Sequence, residues 1–138
     1  QKFVRYEKYL PHFVSCNKGL KEGNWCGACA KCAFVFAGLT AFVSLEKAIE
    51  IFGKNLFEDP ALIETYKELV GQGKHKPFDC VGTLEENMLL LWFAKHNIEK
   101  ENKLLPELFS EINVSDGEKY RNLLTAETSD HLIPHELL

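Results

Sequence analysis

The sequence predicts a small, mainly α-helical domain with few or no strands and a four-cysteine zinc loop near its N-terminus. Two observations predict the helices: apolar residues recur at helical spacing along most of the chain, and capping residues bound these stretches. The third observation, four cysteines between residues 16 and 32, predicts the metal loop. A chain of 138 residues has the size of one domain, so residues 1–138 are expected to form a single unit.

The residues before the cysteines carry weak structural signals, and the first strong helix signal follows the cysteines. Residues 1–12 can begin as a short helix or strand, and Pro11 would interrupt a helix there. Phe13 and Val14 then lead into the cysteine loop as a short strand. Residues 33–43 are apolar on nearly every side, which is typical of an interior helix. This apolar run is much shorter than the roughly twenty residues of a membrane-spanning helix.

Capping residues define the next two helices. Ser44 is a suitable N-cap, and Gly53 a suitable left-handed stop, for the helix between them. Asp59 and Pro60 begin another helix, because an acidic N-cap followed by proline fits the first turn. Gly71 should end this second helix.

A glycine-bounded loop over residues 71–82 precedes the longest predicted helix. Thr83 and Glu86 form a capping box for that helix, which is expected over residues 84–96. Its apolar residues cover most sides, which predicts extensive burial.

Two further short helices are predicted over residues 104–112 and 117–126. Ser115 and Glu118 have the spacing of a second capping box. The remaining tail carries weak signals.

Composition excludes several classes of protein. The formal net charge is −4 and no basic stripe occurs, which argues against a surface that binds duplex nucleic acid. No Walker A loop, Rossmann glycine motif or serine elbow is present.

No secretory signal or membrane anchor is visible, so the cytoplasm is the expected compartment. Thiols stay reduced there, and clustered cysteines therefore favour a metal site.

The metal-ligand candidates are Cys16, Cys26, Cys29 and Cys32, in the pattern C-x9-C-x2-C-x2-C. Paired C-x2-C turns bring thiolates together within a few residues of backbone, and Gly27 lets the backbone fold around them. Four thiolates are typical of a closed structural zinc site without a position for water.

Two alternatives remain open for these thiols. An iron–sulfur cluster also uses closely spaced cysteines, although the ferredoxin pattern continues with a Cys-Pro that is absent here. Free thiols or disulfides in an oxidised sample are the other alternative. The fifth cysteine, Cys80, stands alone, and a lone cysteine is usually a small buried apolar residue.

Several segments together indicate a family. The cysteine spacing is similar to that of the zinc site of PP-loop enzymes such as cyano-deazaguanine synthase. A more extensive match covers about residues 9–95, where the segments WCGACAKCAFVF, IFGKNLF and KPFDCVGTLEEN occur in order. These segments resemble the C-terminal part of the ATP-dependent UDP-N-acetylmuramoyl-L-alanyl-L-glutamate epimerase family.

The resemblance implies a function. Such enzymes invert the terminal L-glutamate of a peptidoglycan precursor, consuming ATP and requiring magnesium. The chain would then be the C-terminal fragment of a larger enzyme. Its partners would be an N-terminal nucleotide-binding portion of the same protein and the UDP-muramoyl-dipeptide substrate. Because the nucleotide-binding portion lies outside this chain, the chain alone is expected to be inactive.

Within the KPFDCVG segment, three residues are candidates for the chemistry. Proton transfer at an amino-acid α-carbon needs a base on each face, and Asp79 and Cys80 are the candidate acid/base groups. Lys76 is a candidate for binding a phosphate or carboxylate. The alternative is a tight structural loop with Phe78 and Val81 in the core, Asp79 capping backbone N–H groups and Cys80 inert.

A second function, from a different class, also fits the cysteine pattern. The chain can be a zinc-binding interaction or substrate-docking module of a PP-loop-type protein, including an RNA-binding one, without chemistry of its own. Trp25 in the cysteine loop would then be a stacking platform. The acidic balance and the lack of interleaved aromatic and basic residues argue against RNA.

Overall fold

The computed structural model of the protein describes residues 5–78 and 80–125. Helices dominate this part of the chain and it contains no strand, so the mainly α class is confirmed. No helix among the described residues is both long and apolar enough to cross a bilayer. The α-helices are α1 (Ala30–Phe42), α2 (Leu45–Phe52), α3 (Ile63–Leu69), α4 (Leu84–Lys100) and α5 (Leu108–Glu111). The 3-10 helices are Glu7–His12, Leu56–Glu58, Pro60–Leu62 and Ser115–Leu124.

Helix α1 is the centre of the domain. It packs against α2, α3 and α4, and its buried residues lie on more than one side, as expected of an interior helix. The buried hydroxyl of Thr40 donates to the carbonyl oxygen of Phe36 at 3.0 Å, so its polar group is satisfied within the helix. Helix α1 thereby connects the cysteine loop at its N-terminus with the apolar core.

The predicted caps of α2 and α3 are present. Ser44 Oγ accepts from the Lys47 N–H at 3.1 Å, and Gly53 ends α2 in the left-handed region at φ 76°. Asp59 accepts from the Ala61 N–H at 3.0 Å, as an acidic N-cap should. The first turn after Asp59 is a 3-10 turn, however, and the α-helix begins only at Ile63.

Helix α4 begins with the predicted capping box. Glu86 accepts from the Thr83 N–H at 2.7 Å, and Thr83 Oγ1 accepts from the Glu86 N–H at 3.1 Å. The helix continues to Lys100, one turn beyond the predicted end. Its buried residues are Asn87, Leu89, Leu91, Ala94 and Ile98.

Two local predictions near the ends of the described chain are wrong. Phe13 is extended but pairs with no strand, and Pro11 lies inside a 3-10 helix, which tolerates its missing N–H. Ser115 and Glu118 form no capping box. Instead, the Ser115 N–H donates to Asn113 Oδ1 at 3.0 Å, and Glu118 forms two hydrogen bonds with Arg121 at 2.7 and 2.8 Å.

The capping box should contribute measurably to stability. Thr83→Ala removes the acceptor of the Glu86 N–H, and the free energy of unfolding is expected to fall by about 1 kcal/mol. Thr83→Ser keeps the hydroxyl and is the matched control, with stability close to that of the wild type. Urea denaturation measures both. Equal stability of the alanine and serine variants would contradict a role for this cap.

Candidate metal centre and adjoining loop

The sulfurs of the four clustered cysteines converge on one point. All four lie within 4.8 Å of one another, although Cys16 comes from a separate turn and Cys32 from the first turn of α1. Cys16–Cys29, Cys26–Cys32 and Cys29–Cys32 have Sγ–Sγ distances of 3.9, 3.7 and 3.6 Å. A tetrahedral zinc ion with bonds of about 2.3 Å holds its sulfurs about 3.8 Å apart. The cysteine cluster therefore has the spacing required to hold a metal ion.

Backbone amides already face the cysteine cluster. The Gly19 N–H donates to Cys16 Sγ at 3.2 Å. Burial alone would raise the pKa of Cys16, but hydrogen bonds from the backbone of Cys26 and Gly19 outweigh it and lower this pKa to about 6. Burial raises the pKa of Cys29 and Cys32. Thiols of this kind lose their protons when they bind a metal ion, and the ion then stabilises the resulting thiolates.

Aromatic residues pack around Trp25, which directly precedes Cys26. The Trp25 ring stacks on Phe52 of α2 with centroids 4.6 Å apart, and it meets Phe13 edge-on at 5.8 Å. Trp25 is thus packed against the domain on two sides, which does not favour a free platform for RNA bases. Its position links the cysteine loop to α2.

Burial and negative charge in the cluster raise the pKa of one tyrosine, Tyr66. Tyr66 is fully buried, and its hydroxyl has no hydrogen-bond partner among the described residues. Burial raises the pKa of Tyr66 well above its usual value, and negative charge at Cys32 and Asp59 raises it further. The Tyr66 hydroxyl therefore stays protonated and neutral.

The KPFDCVG loop lies between α3 and α4, and three of its five described side chains are exposed to solvent. Lys76, Phe78 and Cys80 are exposed, and Val81 is buried. The structural-loop alternative is therefore wrong for Phe78 and correct for Val81, which lies in the core. The expectation that the lone Cys80 is buried is wrong, because Cys80 is exposed. Asp79 lies outside the described residues.

The charge of Lys76 acts on the first turn of α4. The Glu85 backbone N–H and the Thr83 side chain lower the pKa of Glu85, and the charge of Lys76 adds to this effect. The lysine thus lies near the N-terminal turn of α4, where helix N–H groups also favour negative groups. Cys80 lies outside the group of converging sulfurs.

Two residues that sequence reasoning did not select as site residues fix the end of this loop. Lys31, which lies between two of the clustered cysteines, donates from Nζ to the carbonyl oxygen of Cys80. Buried Asn87 donates from Nδ2 to the carbonyl oxygens of Val81 and Thr83, both at 2.7 Å. The sequence did contain one indication for Asn87, because it is a polar residue on the apolar side of a capped helix. Together the two side chains attach the loop to α1 and α4.

Comparison with known proteins identifies the family. Residues 12–123 match the model of the MurL C-terminal domain. A protein of Salinispora tropica is 41% identical over 93 residues, and one of a Micromonospora species is 39% identical over 93 residues. A protein of Xanthomonas oryzae pv. oryzae is 30% identical over 146 aligned positions. All three are named UDP-N-acetyl-alpha-D-muramoyl-L-alanyl-L-glutamate epimerase.

The matches differ in how much of each protein they cover. They span 64%, 64% and 99% of this chain but 20%, 21% and 32% of the respective relatives. The chain thus spans between a fifth and a third of the length of these relatives. No solved structure matches the chain. The resemblance drawn from the sequence segments is confirmed by the family match, and the chain belongs to the MurL C-terminal domain family.

Proposed function

We propose that this chain is the C-terminal domain of an ATP-dependent epimerase that inverts the terminal L-glutamate of UDP-N-acetylmuramoyl-L-alanyl-L-glutamate. The observation that carries the proposal is the family match over residues 12–123, together with the activity named for the relatives. The remaining part of such an enzyme would bind ATP and magnesium, which activate the substrate carboxylate. The reaction would take place in the cytoplasm.

Zinc is the metal that best fits the cysteine cluster. Four sulfur donors match its preference, and the three sulfur separations of 3.6, 3.7 and 3.9 Å suit its bond length. Four cysteines leave no open position, so the ion would be structural. It would join the turn at Cys16 to the N-terminus of α1 and would not touch the substrate.

The exposed loop would provide the reacting groups. Asp79 and Cys80 are proposed as the acid/base pair, one acting on each face of the glutamate α-carbon. Cys80 is exposed, which leaves its thiol accessible to a substrate. Lys76 is also exposed and would bind a phosphate or carboxylate of the substrate. Reactive residues on a loop need a rigid support, and Lys31 and Asn87 provide contacts of that kind.

The contact of Lys31 joins the two parts of the proposal. This lysine lies between Cys29 and Cys32, so its backbone is held wherever the metal holds those two ligands. Its ammonium group holds the backbone of Cys80. The metal would therefore act on the reaction indirectly, by keeping the loop in place.

Activity measurements on two forms of the protein test the proposal. The full-length protein should convert the UDP-muramoyl dipeptide to the D-glutamate form when ATP and magnesium are present, as shown by chiral analysis of the released glutamate. The 138-residue chain alone should neither hydrolyse ATP nor epimerise, because it lacks a glycine-rich phosphate loop. A reaction without ATP is the control. Failure of the full-length protein to epimerise would refute the proposed activity.

A further inference from the structure

A lysine side chain lies over the metal-binding turn. Gly53 ends α2 in the left-handed region, and the chain then turns so that Lys54 reaches Gly27. A Cβ placed on Gly27 would lie 2.9 Å from Lys54 Cε and 3.7 Å from its Nζ. Gly27 directly follows Cys26, so the ammonium group lies beside the backbone that carries one of the four sulfurs. The same Cβ would lie 3.6 Å from Leu56 Cδ2, an ordinary van der Waals contact, so Leu56 also packs beside this turn.

A carboxylate fixes the position of this ammonium group. Lys54 Nζ donates to Asp59 Oδ2 at 2.6 Å, while Asp59 Oδ1 accepts from the Ala61 N–H at 3.0 Å. The hydrogen bond from Lys54 is the largest cause that lowers the pKa of Asp59, followed by the one from Ala61. Asp59 therefore has two tasks: it caps the turn that precedes α3, and it holds Lys54 at the edge of the cysteine loop.

The charge of the proposed metal centre explains why a cation belongs there. Four thiolates and one divalent ion carry a net charge of −2, and this charge sits in a largely buried cluster. Uncompensated charge is costly where water is excluded. The backbone N–H of Gly19 supplies part of the compensation at Cys16. An ammonium group beside Cys26 would supply more.

An ordinary surface ion pair is the simpler explanation for the contact of Lys54 with Asp59. Such pairs contribute little to stability, and the chain contains a comparable pair between Lys47 and Glu50 at 2.8 Å within α2. What separates Lys54 from Lys47 is the packing of its stem on Gly27. If only the ion pair mattered, the two lysines would be equivalent with respect to metal affinity.

We propose that Lys54 is a counter-cation of the four-cysteine metal centre, held in position by Asp59. This inference rests on the metal binding proposed above. It assigns a role to the IFGKNLF segment, which the proposed reaction leaves without one. Residues of this kind around metal ligands typically change metal affinity by tenfold or more when they are replaced.

Zinc affinity measured by competition with a chromogenic chelator tests the inference. Lys54→Gln and Lys54→Met remove the charge and keep much of the stem, and each should weaken zinc binding by about tenfold. Lys47→Met is the matched control and should bind zinc like the wild type, whereas Lys54→Arg should restore most of the affinity. Raising the salt concentration should reduce the difference between the wild type and Lys54→Gln, because salt screens the ammonium group.

The outcomes separate the two levels of the proposal. A wild-type chain that binds no zinc would refute the metal centre itself. A wild type that binds zinc with the same affinity as both Lys54→Gln and Lys54→Met would overturn the role of Lys54 and leave the centre intact. An equal loss in Lys47→Met would also overturn it, because the effect would then come from general destabilisation.

Discussion

Replacing Cys32 with serine is expected to abolish tight zinc binding and to loosen the N-terminal third of the chain before the rest. Cys32 is fully buried on the first turn of α1, and its sulfur lies 3.6 and 3.7 Å from two other cluster sulfurs. Structural zinc contributes on the order of 10 kcal/mol of apparent binding energy in small peptides. The apolar core around α1 should blunt this loss, so residues beyond α2 should stay folded longer.

Elemental analysis and hydrogen exchange measure the two parts of this result. Wild-type protein purified without chelator should contain about one zinc per chain, and Cys32→Ser should contain little. The same variant, or wild type treated with chelator, should exchange amide hydrogens faster in the cysteine loop. Cys80→Ser is the matched control, because Cys80 lies outside the cluster, and its zinc content should be unchanged. Less than about half an equivalent of zinc in the wild type would contradict the assignment.

In the full-length protein, Asp79→Asn and Cys80→Ala should each lower turnover by about a hundredfold or more. Each change removes one of the two groups proposed to transfer the glutamate α-proton. The reaction needs both faces of the carbon, so loss of either group should be severe. Zinc content and circular dichroism should remain those of the wild type, which separates a loss of chemistry from a loss of fold.

Lys74→Ala provides a control in the same loop. Lys74 is exposed, as Cys80 is, but has no proposed role in proton transfer. It should retain turnover close to that of the wild type. If Asp79→Asn and Cys80→Ala also epimerise the UDP-muramoyl dipeptide at near wild-type rates, the loop is a scaffold and the proposed acid/base pair is wrong.

Signals that act over a few residues were readable from the sequence. The N-caps at Ser44 and Asp59 and the capping box of Thr83 with Glu86 all form. Each joins a side chain to a backbone group two or three positions away, so no distant part of the chain decides it. The cysteine spacing was informative for the same reason, since three of the four thiols lie within one loop and turn.

Features that depend on distant contacts were not readable. The spacing of Ser115 and Glu118 is correct for a capping box, but Asn113 and Arg121 compete successfully for their polar groups. Leu84 shares a helical face with apolar residues, yet its side chain is 37% exposed, which helical spacing alone does not predict. Lys31 and Cys80 are 49 positions apart in the sequence, and no local sequence pattern predicts their contact.

The place of Lys31 within the first turn of α1 has a consequence for how the chain tolerates insertions. Successive residues of an α-helix are rotated by about 100° around its axis. One residue added between Ala30 and Cys32 would therefore turn Lys31 away from the Cys80 carbonyl group, or turn Cys32 away from its three companions. Helical phase thus ties the geometry of the metal-binding turn to that of a loop far along the chain, and length changes at this point should be tolerated much less well than substitutions.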